Sequence, residues 1–123
     1  MTEPESVARA RVAVSAAAEK NGTDLAVLDV GDVLAIIELF VLGSASNVRQ
    51  VRTIVDEVEQ ALTDHDGSKP ISVEGLADAS WVLLDYGDIV VHVFLEETRA
   101  YYDLDRLWGD VPRLDVPATQ AAT

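Results

Sequence analysis

The chain has 123 residues, is 49% hydrophobic, contains no cysteine and carries a net charge of −13. That length and apolar content suit one globular domain and exclude a disordered chain, while the absence of cysteine excludes disulfides and thiolate metal sites and fits a reducing compartment. No apolar run reaches the roughly 20 residues that span a bilayer, the first residues lack a signal-peptide pattern, and such acidity repels nucleic-acid phosphates while attracting basic proteins. A soluble, cytoplasmic protein is expected, with no membrane association and little direct nucleic-acid contact.

The first predicted element is a helix from Glu5 to about Lys20, with Pro4 near its first turn and a narrow stripe of Val7, Ala10, Val14 and Ala17. Asn21-Gly22 ends it. Leu25 to Val30 reads as a strand and Gly31-Asp32 as a turn; residues 33–37 fit a short strand or an irregular link equally. Leu39 to Leu42 reads as a buried strand. A long helix follows from about Asn47 to His65, capped by Ser46 or Asn47, with Val48, Val51, Val55, Val58 and Leu62 on its core face. Residues 64–70 read as a loop, Ile71 to Glu74 as a short edge strand, and Glu96 to about Trp108 as one or two short helices. Residues 1–112 then form one domain, with 113–123 a disordered tail. The order α-β-β-α-β-β-β-α predicts an α/β fold, an α+β sandwich with a mixed sheet flanked by helices.

The segment from Trp81 to Phe94 reads as a hairpin around Tyr86-Gly87. It then pairs Asp85 with Asp88, Leu84 with Ile89, Leu83 with Val90, Val82 with Val91 and Trp81 with His92. Alternation puts Val82, Leu84, Ile89, Val91 and Val93 on an aliphatic core face. Trp81, Leu83, Asp85, Asp88, Val90, His92 and Phe94 form the other face, whose mixture of rings and opposed acids suits a partner surface. Residues 76–110 hold eight acids against two arginines, with two tryptophans and three tyrosines. Aromatic anchors ringed by charge make a protein–protein hot spot, here one for a basic protein. Tyr101, Leu104 and Leu107 or Trp108 would share one helical face beside it.

Catalytic chemistry has weak support. Gly43-Ser44, between a strand and a helix, is where a nucleotidyltransferase holds a triphosphate, and Asp85 and Asp88 are the acids nearest to a magnesium role. Asp56, Glu57 and Glu59 lie on the helix instead, and no Lys or Arg cluster awaits phosphates, so a plain strand-to-helix turn is the better reading. His65 and His92 are too few for a metal centre, and no serine has an evident base. No catalytic residue, metal ligand or cofactor is predicted. Arg52 has Asp56 four residues on; Arg49 has no local partner.

Phe40-Val41-Leu42, Asn47-Val-Arg-Gln-Val51 with Asp56, Glu74-Gly75, the Trp81–Phe94 hairpin, and Arg99-Ala-Tyr-Tyr-Asp-Leu-Asp-Arg-Leu-Trp-Gly-Asp110 resemble the ribosomal silencing factor family (RsfS / Iojap) over about residues 7–112. The resemblance implies a nucleotidyltransferase-like fold without the catalytic acids, and no enzymatic activity. It implies a homodimer when free, and a translational repressor. The repressor would bind the large ribosomal subunit through ribosomal protein L-fourteen and block joining of the small subunit when nutrients are scarce. Trp81, Leu83, Asp85, Asp88, Val90 and His92 would form the contact face, extended by Tyr101, Tyr102, Asp103, Leu104, Leu107 and Trp108. Glu38-Leu39 and Gly43-Ser44-Ala45 depart from the family's usual Asp-Tyr and Thr-Gly. The alternatives are a magnesium-dependent nucleotidyltransferase using Ser44, Asp85 and Asp88, or an adaptor in large-subunit assembly.

Overall fold

The computed structural model describes residues 4–115. Among these residues four helices and six strands follow one another: α1 (Pro4–Glu19), β1 (Thr23–Asp29), β2 (Leu39–Ala45), α2 (Val48–Asp66), β3 (Ser72–Glu74), β4 (Trp81–Asp85), β5 (Ile89–Leu95), α3 (Glu96–Tyr102), α4 (Leu104–Leu107) and β6 (Arg113–Leu114). The strands make one mixed sheet in the order β3-β4-β5-β2-β1-β6. Among the described strands the central pair, β2 and β5, runs parallel and the other neighbours run antiparallel.

The main core lies between the sheet and the two long helices. Val82, Leu84, Ile89, Val91 and Val93 are all buried there, against Val51, Ile54, Val55, Val58 and Leu62 of α2. Ala10, Ala13 and Ala17 of α1 join them, and such small side chains bring a helix backbone close to its neighbours. The polar ends of α2 are satisfied locally. Asn47 Oδ1 accepts from Gln50 N at 2.8 Å, and Gly67, at φ +77°, donates its N–H to Thr63 O at 2.8 Å.

The opposite sheet face is only half covered. Over β1 and β2, α4 and the loop 30–38 bury Ala26, Leu28, Phe40 and Leu42 beneath Leu34, Leu104, Trp108 and Val111. Over β3 and β4 the cover thins among the described residues: Trp81 meets Tyr102 of α3, while Leu83 and Asp85 are only half-buried and β3 is exposed. Residues 33–37 resolve as an irregular loop anchored by Val33 and Leu34 N–H groups on Val30 O.

The tail expected from residue 113 onward begins instead with a strand. Val27 pairs with Leu114 and Leu28 with Arg113, so Arg113–Leu114 add a sixth strand beyond β1. Residues 116–123 lie outside the described residues. The short strand escaped notice because Pro112 reads as a break, whereas proline is tolerated at the start of an edge strand.

Candidate functional site

The hairpin turn decides what the open face presents. Tyr86 N–H donates to Ile89 O at 2.9 Å, so Gly87-Asp88 form the two-residue loop, not Tyr86-Gly87. Trp81 pairs with Phe94, Val82 with Val93, Leu83 with His92, Leu84 with Val91 and Asp85 with Val90. Gly87 sits at φ +94°, and this placement spares Tyr86 the positive φ that a primed turn demands of its first residue. The shift is two residues in register, so every side chain within the two paired strands keeps its expected face, and only the turn residues change.

Two acids change role as a result. Asp85 does not oppose Asp88; it faces Val90, and its Oδ1 accepts the Gly87 N–H at 2.8 Å. Asp88 leaves the expected contact face altogether. Its carboxylate receives Ser6 Oγ at 2.6 Å and pairs with Arg9, which also lies 3.1 Å from Asp66. Its carbonyl accepts from Glu38 N and Leu39 N. Asp88 therefore joins α1, the hairpin and the start of β2.

Trp81 and His92 meet diagonally rather than opposite each other. The indole N–H donates to His92 Nδ1 at 3.1 Å, which fixes the ring proton on Nε2. Burial pushes the His92 pKa down to about 4, so the ring is neutral, and Nε2 has no partner among the described residues. Trp81 packs on Phe94 and on Tyr102, each at 5.0 Å between centroids. His92 meets the Phe40 ring edge-on at 4.7 Å, and Phe40 meets Trp108 the same way at 5.3 Å. One aromatic network thus runs from β4 to the end of α4. Trp81 and Trp108 are both half-buried within it.

The final helical region breaks where a continuous face was expected. Asp103 adopts φ +51°, which ends α3 and starts α4 in a new direction. Tyr101 (81% exposed) therefore does not share a face with Leu104, which is buried. Tyr102 and Leu107 are exposed, and Asp103 is exposed at the bend.

Arg99 fixes this region to the sheet. Its Nε and Nη2 grip Asp105 at 3.0 Å each, while Nη1 donates to Asp24 O at 2.6 Å and Ser44 Oγ at 2.9 Å. The Arg99 guanidinium holds the Asp105 carboxyl below the usual carboxylate range, helped by Arg113 at 3.2 Å. Ser44, the residue weighed for a triphosphate, is occupied by this contact. It lies beside Phe94, whereas Asp85 faces Val90, four residues or about 13 Å along β5. Ser44, Asp85 and Asp88 are therefore not brought together. Among the described residues no group of three or more His, Asp or Glu could hold a metal ion. Arg52 also differs from expectation: it donates to Leu76 O and Ala77 O, which pins the strap leading to β4.

The open face gathers residues that the sequence reading did not single out. Val33 and Ile36 project from the loop 30–38 and Leu76 from the segment after β3, all exposed, while Ile71 and Val73, also exposed, have the parity of the helix-side face because Val73 pairs with Leu84. Between the loop and β3 lies a groove of about 190 Å³ whose lining includes Phe40, Leu83, Asp85, Val90 and His92. The available signal was Val33-Leu-Ala-Ile-Ile37, an apolar run with no strand or helix to absorb it.

Comparison with known proteins agrees with this architecture. Residues 3–123 match the family model described as "Ribosomal silencing factor during starvation". The chain is 35% identical over 106 residues to the ribosomal silencing factor of Bacillus subtilis, spanning 86% of this chain and 89% of that one. It is 30% identical over 97 residues to the mouse protein named "Mitochondrial assembly of ribosomal large subunit protein 1", spanning 77% of this chain and 42% of that longer one. A crystal structure from Chromobacterium violaceum superposes with a TM-score of 0.78 at 30% identity, covering 88% of each chain. The chain belongs to the ribosomal silencing factor family.

Proposed function

We propose that this protein is a translational repressor that binds the large ribosomal subunit through ribosomal protein L-fourteen and blocks joining of the small subunit. Silencing under nutrient limitation is the family's named role, and the chain matches the family model across the domain. The observation that supports the docking reading is the half-covered sheet face, where aromatic and aliphatic side chains stand beside Asp85 and Glu74. Such a surface needs affinity and bulk, not chemistry. The net charge of −13 speeds approach to a basic protein and disfavours ribosomal RNA.

The contact set is Trp81, Leu83, Asp85, Val90 and the rim residues Ile36 and Glu74, with Tyr101, Tyr102 and Leu107 at its margin. His92, Leu104 and Trp108 support these from below. The free protein is a cytoplasmic homodimer without enzymatic activity in this reading. A second reading, a role in large-subunit assembly, draws on the name of the mouse relative.

Sedimentation tests the proposal. The protein is mixed with purified large subunits, and small subunits are then added. Co-sedimentation with loss of joined ribosomes is expected, and folded Asp85→Lys protein should bind weakly. Binding that leaves joining intact would favour the assembly reading. Absence of binding at low salt would remove both.

A further inference from the structure

We propose that the groove between β3 and the loop 30–38 is a subsite for one arginine side chain of a basic protein partner. The proposal rests on the docking reading above and names what that face recognises. The groove's volume, about 190 Å³, is that of one long side chain. Its floor is apolar, with Phe40, Leu83 and Val90. Its far side is anionic. Register puts Glu74 opposite Leu83 and Ser72 opposite Asp85, so both carboxylates stand on the groove face one diagonal apart. That diagonal is roughly 7–8 Å between backbones.

This arrangement matches an amphipathic cation. A three-carbon stem covers Leu83 and Val90 while the charged head reaches the acids. Two carboxylates on separate strands suit the divergent N–H edges of a planar guanidinium better than the point charge of an ammonium. Neither acid forms a salt bridge among the described residues. Asp85 commits Oδ1 to the Gly87 N–H, which leaves Oδ2 as the acceptor for a partner group, with no ion pair to it among the described residues. His92 adds an independent sign of a missing ligand. It lines the same groove, is 4% exposed, and has an Nε2 without a partner among the described residues. A peptide carbonyl is the chemistry that matches it.

Affinity for purified large subunits is measured for the full chain and for Glu74→Gln, Asp85→Asn, the double variant, and Asp56→Asn on exposed α2 as a charge control. Asparagine at 85 retains an acceptor for the Gly87 N–H. Each single variant should lose about tenfold in affinity, and Asp56→Asn less than about twofold. Because both acids hold one cation, the double variant should lose about 30-fold rather than the 100-fold product. Losses that multiply, or an equal loss for Asp56→Asn, would mean a diffuse field and overturn the subsite. Normal binding by both single variants would overturn it while leaving the docking reading intact. No binding by the unaltered protein would sink the docking reading itself. Arginine is tested directly by titrating the full chain with acetyl-Gly-Arg-Gly-amide and following the Trp81 indole N–H by NMR. A shift that is lost with citrulline in place of arginine, and lost in the double variant, is expected. An equal response to arginine and citrulline would overturn the assignment.

Discussion

Replacing Arg99 with methionine isolates the contact that holds the last helices on the sheet. Arg99 is 8% exposed and makes four side-chain hydrogen bonds: two to Asp105, one to Asp24 O and one to Ser44 Oγ. Methionine replaces the stem and none of these bonds. Removing one member of a buried ion pair costs about 3–5 kcal/mol, because the other is left uncompensated. Asp105 is one-third exposed and keeps Arg113, and Asp24 is exposed, so water recovers part of the loss. Ser44, 1% exposed, has no such recourse. The lower end applies, about 3 kcal/mol. Urea unfolding at pH 7 measures it as a lower midpoint at constant slope. Lysine at 99 should recover less than half, since it lacks the planar fork. The depressed Asp105 pKa gives the sign of the pH effect. Its contribution is present above the ordinary carboxylate range and lost as pH falls through the lowered folded value. The variant should therefore show less destabilisation from this group below about pH 4. A loss under about 1 kcal/mol, or an unchanged acid limb, would refute the clasp.

Other consequences follow from single contacts. Burial holds the His92 pKa at about 4 against 6.5 in the unfolded chain, so the unfolded state takes up the proton first. Stability should be full above pH 6.5 and fall as pH drops toward 4, with about 2 kcal/mol lost by pH 5; His92→Phe should flatten that window, and equal slopes would contradict the burial account. Gly75 has φ +87°, and a Cβ there would lie 2.0 Å from Trp81 O. Gly75→Ala should cost at least about 2 kcal/mol in thermal unfolding, and an unchanged midpoint would show that β3 is not held as described. Asp88→Ala should cost about 2–3 kcal/mol through Arg9 and Ser6, while folded protein keeps the unaltered salt dependence of large-subunit binding. A shallower salt dependence would return Asp88 to the contact surface.

The candidate face was legible in the hairpin because side-chain parity survives any register error of two. Val82, Leu84, Ile89, Val91 and Val93 alternate with Trp81, Leu83, Asp85, Val90 and His92 wherever the turn falls. The turn itself was misread because Tyr86-Gly87 and Gly87-Asp88 both carry a turn signal, and only the second puts glycine where the first positive φ is needed. Asp88 illustrates the cost of that error. Its charge was visible, but its bond to Arg9, 79 residues away in the chain, follows from α1 crossing behind the turn. Asp103 illustrates another limit, since nothing local announces that the helix bends there and separates Tyr101 from Leu104.

The sequence by itself determined the long helices and the central strands, the division of the hairpin into an aliphatic and a mixed face, the acidity, and the family resemblance. These depend on local periodicity and composition, which need no knowledge of neighbours. Tertiary structure decided which acids remain available to a partner, because ion pairs such as Arg9–Asp88 and Arg99–Asp105 join distant elements or close a bend. It also decided that one half of the second sheet face stays open. The loop 30–38 and α4 cover β1 and β2 and stop short of β3 and β4, leaving the groove and its apolar rim exposed. The extent of such cover depends on where two irregular segments come to rest in space, and no periodicity encodes that.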